Sequence, residues 1–345
     1  MLYRDITLLD KNYNLIFGDI EVENGIVTSI KKKGEGSGNA ILPPFIDIHI
    51  HGGYGVDIMN ASSSEIIYLS KRLYEDNVGA YMPTTVAKSY SKILSCAKEI
   101  KFASKNKDYA EILGIHVEGP FISKKYKGIM EEKFITGCDI KLYEDLKNIL
   151  GDLKIRFTVA PENDGAEEFT SYVVKNGDYV SIGHSGGTVE DCEKLTACGA
   201  SSYTHLFNAM SPVNHRNMGV AGAGLLDDSF AEVICDFVHL SKNCVKLITK
   251  VKEDKIILIT DAMEAMGCEK GCYIFCGKEV KVDDSSVRDD TGRLAGSILT
   301  MKRALINMSE IVGIKSAVKM AAENPAKLLN LENYGFIDTG RRVII

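Results

Sequence analysis

The chain of 345 residues lacks the features that mark several large classes of protein. No stretch approaches the roughly 18 consecutive apolar residues that a membrane-spanning helix needs, so we expect no membrane partner. The net charge is −6 and the pI is about 5.7, which leaves no basic surface for nucleic acid. No block of like charges indicates an interaction tail. We therefore expect no polyanionic partner.

The sequence also lacks the signs of secretion. Its first residues, MLYRDITLLD, have neither a long apolar core nor a small-residue cleavage site. The nine cysteines are an odd number without a disulfide framework, which is typical of free thiols in a reducing compartment. The spacing Cys268-x3-Cys272-x3-Cys276 differs from the two-residue gap that zinc sites favour, so ordinary thiols are expected. These features predict a cytoplasmic protein.

Eight short apolar runs predict eight parallel strands. The runs are FIDIHIH, AYMPTTV, EILGIHVEG, IRFTVAPE, YVSIGHS, SSYTHLFN, AEVICDFVHL and IILITDAM. Segments of helical period, such as SSEIIYLSKRLYEDN and TVEDCEKLTACG, lie between several of them. Eight such units favour a closed (β/α)8 barrel of the TIM type, which forms one domain of about 250 residues. Residues 209–230 are rich in Gly and Asn with weak helical period, which predicts a functional loop.

The remaining segments predict a small flanking β-sandwich built from both chain ends. The first 40 or so residues alternate apolar and polar positions between turn signals. Residues 271–297 become β-like again, two helical stretches follow, and GFIDTGRRVII is predicted to close as a strand. We therefore assign 1–43, 271–297 and 335–345 to the sandwich, and 44–270 and 298–334 to the barrel.

The run FIDIHIH contains the first indication of a metal site. Alternate residues of a strand share a face, so His49 and His51 point the same way. Two imidazoles on one inward face invite a divalent metal, and burying both without a partner is costly. Later runs also end in a carboxylate or an imidazole, at Glu118, His184, His205 and Asp261. A (β/α)8 barrel carries its catalytic residues at these strand ends.

Each of these residues also has a simpler interpretation when it is taken singly. A lone histidine is more often a satisfied core residue, and Glu118 alone could be a solvated loop residue. Asp261 could cap a helix, although its position after the eighth strand favours a general base. His116 lies two residues before Glu118 and deeper in the barrel, where a supporting role is expected. The occurrence of such residues on five separate runs favours a metal site.

Six motifs then establish a resemblance to a known family. FIDIHIHGGYGVD, HVEGPF, GHS, THLFNAM, ITDAM and GRLAGSILTM occur in the order that resembles the amidohydrolase superfamily and, within it, the N-acetylglucosamine-6-phosphate deacetylases. The resemblance implies the barrel with its sandwich, Asp261 as the acid and base, and one or two divalent metals. One metal would be held by Glu118, His184 and His205, and a second by His49 and His51. Zinc, iron, manganese and cobalt all suit these ligands.

The same resemblance implies a set of substrate contacts. Asn208 and Ala209 of THLFNAM would contact the sugar phosphate, and His239 of CDFVHL would contact the substrate. Arg216 matches a family arginine that reaches the phosphate bound in the neighbouring subunit, which implies a homodimer. Its planar fork suits phosphate oxygens. Without the resemblance, Arg216 would be interpreted as a solvated loop charge.

Two positions depart from the family pattern. Where relatives have Lys-Gly-Ala-His, with the histidine near the acetamido group, this chain reads Lys127-Gly128-Ile129-Met130. A thioether cannot donate a hydrogen bond. The chain also ends at GFIDTGRRVII, before the family's usual Gly-x-x-Ala-Asp segment, so we expect a shortened sandwich.

The leading hypothesis is a metal-dependent deacetylase for an N-acetylated amino-sugar 6-phosphate, with N-acetylglucosamine 6-phosphate as the first candidate. Two alternatives stay open. One is an amidohydrolase for another amide, such as N-acetylgalactosamine 6-phosphate or an N-acyl amino acid. The other, prompted by Met130 and the short C-terminus, is a catalytically weakened sugar-phosphate-binding protein. Retention of every metal-site residue argues against such decay.

Overall fold

Parallel strands alternate with helices in the computed structural model, which describes residues 1–345. The strands are β1 (Leu2–Leu9), β2 (Leu15–Glu23), β3 (Ile26–Glu35), β4 (Phe45–Ile50), β5 (Gly52–Gly53), β6 (Val56–Asp57), β7 (Val78–Thr85), β8 (Glu111–Ile112), β9 (Gly114–Glu118), β10 (Lys154–Val159), β11 (Tyr179–Ile182), β12 (Ser202–Tyr203), β13 (Phe230–Ile234), β14 (Ile256–Ile259), β15 (Gly271–Phe275), β16 (Lys278–Val282) and β17 (Val287–Arg288).

The α-helices are α1 (Ser63–Glu75), α2 (Tyr90–Ala103), α3 (Ile140–Leu150), α4 (Ala166–Lys175), α5 (Val189–Ala197), α6 (Gly219–Leu226), α7 (Lys242–Lys252), α8 (Met301–Val312), α9 (Ile314–Val318) and α10 (Asn324–Leu328). Two short 3-10 helices span Glu132–Phe134 and Glu253–Lys255, and a π-helical turn, Lys319–Glu323, joins α9 to α10. None of these helices is both long and apolar enough to cross a bilayer.

Eight parallel strands form the barrel. Their order is β4, β7, β9, β10, β11, β12, β13 and β14, with the short β8 pairing beside β7. The ring closes between the ends of β4 and β14, where the Asp261 N–H donates to the His49 carbonyl at 2.9 Å and the His51 N–H donates to the Ala262 carbonyl at 2.8 Å. Each of the eight predicted runs coincides with one barrel strand, so the predicted (β/α)8 class is confirmed.

The sequence accounts for these elements locally. The strands read as nearly continuous apolar runs because both of their faces are covered, and all six residues of β4 are buried. Helix α1 shows how the outer ring packs. The Ser62 hydroxyl and the Glu65 carboxylate form a reciprocal capping box at its start, and Ile66, Leu69 and Leu73 form its buried stripe.

The prediction of a loop over 209–230 was wrong for its second half, which forms α6. This helix reads GVAGAGLL and is buried from Gly219 to Leu225. A helix that is covered on all sides carries no polar face, so it shows no amphipathic period. Its glycines allow close packing, since a Cβ at Gly222 would lie 2.5 Å from the Met218 Cβ and one at Gly224 would lie 2.6 Å from the Leu206 Cδ1.

The flanking β-structure joins the two chain ends. Strands β1, β2 and β3 form an antiparallel sheet with a small apolar core of its own, to which Ile337 and Val343 of the C-terminal tail contribute. Residues 335–345 do not form the predicted strand and meet the sheet only at isolated bridges. The physical reason is the backbone of Gly335 and Gly340, whose φ values of 107° and 83° turn the chain away from an extended path.

Strands β15, β16 and β17 form a second antiparallel sheet beside the barrel mouth. Phe275 and Val280 belong to the main hydrophobic core, and the Phe275 ring lies 5.5 Å from the His51 ring. This sheet therefore contributes directly to the site below. The division into a sandwich of 1–43, 271–297 and 335–345 and a barrel of 44–270 and 298–334 remains a prediction.

Candidate metal centre

Three of the predicted ligands meet at the C-terminal mouth of the barrel. The Glu118 Oε1 atom lies 3.1 Å from the His184 Nε2 and 3.0 Å from the His205 Nε2. The two imidazole nitrogens are 3.1 Å apart. We call Glu118, His184 and His205 the loop group, because both histidines follow the last residue of their strand.

The predicted second pair lies against the same carboxylate. The Nε2 atoms of His49 and His51 are 3.2 Å apart. The Glu118 Oε1 is 3.3 Å from the His49 Nε2, and the Glu118 Oε2 is 3.2 Å from the His51 Nε2. We call His49, His51 and Glu118 the strand group. Glu118 is thus shared by both groups, each of which brings three ligand atoms within 4.8 Å of one another.

Asp261 lies beside both groups. Its Oδ1 is 3.2 Å from the His51 Nε2 and 3.5 Å from the His49 Nε2. His184, His205 and Asp261 all have positive φ values, of 48°, 33° and 50°. This left-handed backbone is costly for residues other than glycine, by about 1–3 kcal/mol each, and such strain clusters at functional sites. Here it turns three side chains toward the mouth at the ends of three strands.

Positive charge in the cluster stabilises its two buried carboxylates, Glu118 and Asp261. Burial lowers the pKa of His51, but the Asp261 and Glu118 carboxylates outweigh burial and raise this pKa to about 9. Burial raises the pKa of Asp261, yet the facing His49 and His51 outweigh it and lower the pKa to about 2. The Glu118 pKa is likewise well below its usual value, since His49 and His184 outweigh burial. Protons or a cation can supply this charge.

The ring nitrogens on the far side of the imidazoles support a cation. The His184 Nδ1 lies 2.7 Å from the Tyr126 carbonyl, and the His51 Nδ1 lies 3.2 Å from the Thr84 carbonyl. A carbonyl accepts only, so each Nδ1 carries the proton and leaves an Nε2 lone pair facing the centre. Imidazole nitrogens with carboxylate oxygens are ordinary ligands of zinc and related ions. The donor set therefore fits a divalent metal.

A layer of buried polar residues lies under the ligands. His116 is completely buried, and its Nε2 lies 2.7 Å from the Thr158 hydroxyl. Burial and the nearby Arg156 hold the pKa of His116 well below its usual value. Arg156 forms a buried ion pair with Glu232. His116 forms its hydrogen bond within this polar layer and belongs to neither the loop group nor the strand group.

A cavity of about 560 Å³ opens above the ligands. That volume is in the range of small-molecule sites. The predicted substrate residues Asn208, Ala209 and His239 line it, and the His239 Nδ1 lies 2.7 Å from the Asp236 carboxylate. Arg216 is exposed in the loop before α6 and does not line the cavity of its own chain.

Sequence reasoning missed most of the cationic wall of this cavity. Lys125, Lys127, Arg288 and Arg293 all line it. Arg293 donates from Nη1 to the Gly128 carbonyl at 2.9 Å, which ties the β17 side of the mouth to the Lys127–Met130 loop. The motif GRLAGSILTM contains Arg293, but its side-chain role depends on where the β15–β17 sheet folds.

The departure at Met130 lies inside the cavity. Its side chain is buried and lines the wall, and its sulfur accepts the Ala87 backbone N–H at 3.4 Å. A thioether, which cannot donate a hydrogen bond, therefore occupies this point of the wall. Lys127, three residues earlier, lies 3.8 Å from the Glu132 carboxylate.

Comparisons with known proteins agree with this geometry. The amidohydrolase family model matches residues 40–343. N-acetylglucosamine-6-phosphate deacetylase of Lysinibacillus sphaericus is 34% identical over 354 residues, which cover 99% of this chain and 91% of the relative. N-acetylgalactosamine-6-phosphate deacetylase of Escherichia coli O157:H7 is 30% identical over 335 residues, 94% of this chain and 89% of the relative. A solved N-acetylglucosamine-6-phosphate deacetylase of Thermotoga maritima matches with a TM-score of 0.91 and 33% identity, over 99% of this chain and 93% of that one. The chain belongs to the amidohydrolase family.

Proposed function

We propose that this protein hydrolyses the N-acetyl group of N-acetylglucosamine 6-phosphate, giving glucosamine 6-phosphate and acetate. One observation carries the proposal. A carboxylate shared by two groups of imidazoles lies beside Asp261 at the floor of a cavity with a cationic wall. The floor suits amide hydrolysis and the wall suits an anionic sugar.

The loop group would hold one divalent ion, which is zinc, iron, manganese or cobalt, and the strand group would hold a second. Bound there, such an ion would supply a water of lowered pKa and polarise the amide carbonyl. The barrel strands and the loops that follow them place these histidines around Glu118.

Asp261 would act first as the general base and then as the general acid. Its carboxylate is anionic at neutral pH, and the facing His49 and His51 hold its pKa below the usual value. It can accept a proton from the attacking water and then deliver it to the departing nitrogen, since an amine leaves readily only when protonated. A water-poor floor strengthens both steps, and the Asp261 residue is 8% exposed.

The cavity wall would orient the sugar. His239 has its Nδ1 on Asp236, which leaves the other ring nitrogen to accept a sugar hydroxyl. Asn208 and Ala209 would contact the phosphate end, and the lysines and arginines of the wall would balance its charge. We further propose a homodimer in which Arg216 reaches the phosphate bound by the neighbouring subunit. Its exposed loop position supports that role.

We propose that the reaction takes place in the cytoplasm. All nine cysteines are free, as expected in a reducing compartment.

The proposal is tested by steady-state acetate release from the metal-loaded protein with four substrates: N-acetylglucosamine 6-phosphate, its C4 epimer N-acetylgalactosamine 6-phosphate, unphosphorylated N-acetylglucosamine and an N-acetyl amino acid. We expect the highest kcat/KM for the first. The Escherichia coli relative makes the C4 epimer the second candidate. Preference for the amino acid contradicts the sugar-phosphate assignment. Tight binding of either sugar phosphate without acetate release indicates a binding protein.

A further inference from the structure

Beneath the ligand groups lies an ion pair that the chemistry above does not use. Arg156 of β10 and Glu232 of β13 are three strands apart, and neither side chain is exposed at all. The Arg156 Nη2 contacts the Glu232 Oε1 and also donates to the Ser202 hydroxyl at 3.1 Å. The Arg156 Nη1 lies 3.4 Å from the His116 ring nitrogens. These contacts fix the guanidinium in the centre of the barrel.

Stability alone is a weak reason for placing this pair in the barrel interior. Removing two charges from water costs several kcal/mol per ion, and well-packed apolar replacements of buried pairs are often neutral or stabilising. Barrel interiors are commonly filled by branched apolar residues. Arg156 also keeps its Nε without a hydrogen-bond partner. An ion pair here therefore indicates a role for one of its atoms.

That atom is the second oxygen of Glu232. The Glu232 Oε2 lies 3.4 Å from the Nδ1 of His49. A neutral His49 that uses Nε2 as a ligand must carry its proton on Nδ1, and an acceptor behind the ring fixes this tautomer. The corresponding acceptors for His51 and His184 are backbone carbonyls, and the His205 Nδ1 has none. His49 alone among the four has a carboxylate behind it.

We infer that Glu232, aligned and neutralised by Arg156, is a positioning residue that fixes the tautomer and orientation of His49 and so sets the affinity of the strand group for its metal ion. The arrangement is a carboxylate, an imidazole and an ion in series. This inference rests on the metal dependence of the proposed function and does not depend on the identity of the substrate.

The test measures metal binding without substrate. Single changes would leave a buried charge unpaired, so both partners are replaced together, as Arg156→Met with Glu232→Leu. Metal-free protein is titrated with zinc against a chromophoric chelator. We expect wild type to bind two ions and the double variant to bind the first as tightly, with the second weakened by about 10–100-fold.

Two further variants separate positioning from general packing. Arg156→Met with Glu232→Gln keeps an oxygen that accepts the His49 proton, so its second-ion affinity should fall between wild type and the leucine variant. Asp47→Asn is the matched control. Asp47 is a fully buried carboxylate on the same strand as His49, but its hydrogen bonds go to the His49 backbone N–H, at 3.3 Å, and to Thr260, and none goes to the His49 ring. It should alter thermal stability and leave both ion affinities within about two-fold of wild type.

Several results would overturn the inference. These are a single ion in wild type, a second ion held equally well by the leucine double variant, no intermediate value for the glutamine double variant, or an equal loss in Asp47→Asn. A wild-type protein that binds two ions as described but releases no acetate from any sugar phosphate contradicts the proposed function and leaves this inference standing.

Discussion

The loop group and the strand group share Glu118 but are supported in opposite ways. His184 and His205 follow their strands on a left-handed backbone, and both line the cavity at the barrel mouth. His49 lies within the extended β4 and is backed by a buried ion pair that spans the barrel. The loop group therefore borders the cavity through both of its histidines, whereas the strand group borders it through His51 and is coupled to the barrel interior through His49.

This difference suggests that the loop group and the strand group have different roles. Residues at loop positions can adjust to a bound substrate, and residues on barrel strands hold a fixed geometry. Glu118 links the two, because its Oε1 faces histidines of both groups and its Oε2 faces His51. Changes at Glu118 should therefore affect both groups, while changes at a histidine should affect one.

The largest expected effect follows from that sharing. Glu118→Gln should reduce turnover to the detection limit and lower the metal content of both groups, because an amide is a poor replacement for a carboxylate ligand. His184→Asn should lower the content of the loop group only. Metal stoichiometry by atomic emission, with acetate release on the same samples, checks both. Full turnover in chelated wild type, or normal metal content in Glu118→Gln, contradicts the shared-ligand interpretation.

The sequence singled out the residues that meet at the barrel mouth because their signal is local. Each follows an apolar run that is long enough to be a strand, and the barrel fold gathers the strand ends at one mouth. Arg156 and Glu232 carried no such signal, since each is a single charge in the middle of a strand. Their pairing exists only because the closed barrel brings β10 and β13 face to face across its interior.

Two features of the fold depend on packing that the sequence pattern does not reveal. Helix α6 is covered on all sides, so it lacks the polar face by which a helix is recognised. The β15–β17 sheet was correctly expected to be β-structure, but its position at the mouth depends on non-local packing of Phe275 against His51. The cationic residues that it contributes to the cavity could therefore not be assigned a role.

The second prediction concerns Asp261, whose carboxylate lies close to both histidines of the strand group. Asp261→Asn should keep both ions and lose about 10²–10⁴-fold in kcat, the usual contribution of a general acid and base. Stopped assays on protein of verified metal content measure this loss. An Asp261→Asn variant with near-normal turnover would remove Asp261 from the mechanism, and one that lost its metal would make it a ligand instead.

The third prediction tests whether the strand group compensates for Met130. A thioether cannot donate to the developing oxyanion, so electrostatic stabilisation must come from elsewhere. We expect His49→Ala and His51→Ala each to lower kcat by at least ~10-fold, and Met130→His to restore part of that loss in both backgrounds. The competing explanation is that Lys127, which also lines the cavity, supplies the donor. Fully active histidine variants, or no effect of Met130→His, would favour Lys127.

The fourth prediction concerns the proposed contact between Arg216 and the substrate phosphate. Arg216→Ala should raise KM for N-acetylglucosamine 6-phosphate by roughly 10-fold or more, because a charge-assisted hydrogen bond contributes about 1.5–3 kcal/mol. KM for the unphosphorylated sugar should change little. Arg293→Ala is the matched variant, since Arg293 lines the cavity of its own chain. Equal losses on both sugars reject a phosphate role for Arg216, and a monomeric protein in sedimentation rejects a role across subunits.

The smallest expected effect separates the two chemical states of the strand group. In the metal-free protein the pKa of His51 is raised to about 9, so its stabilisation is fully present below pH 6.5 and is lost as the pH rises through 9. The raised pKa values of His49 and His184 act in the same direction, and the lowered pKa of His205 acts only below pH 6.5. The Tm of chelated protein should therefore fall between pH 6.5 and 9, by a few degrees.

Metal-loaded protein carries no such proton on His51, so the difference between the two forms isolates the effect from the titration of thiols, which occurs in both. Chelated His51→Asn should lose most of the excess slope. Parallel pH profiles for loaded and chelated wild type would show that the strand group holds no proton for a metal ion to displace.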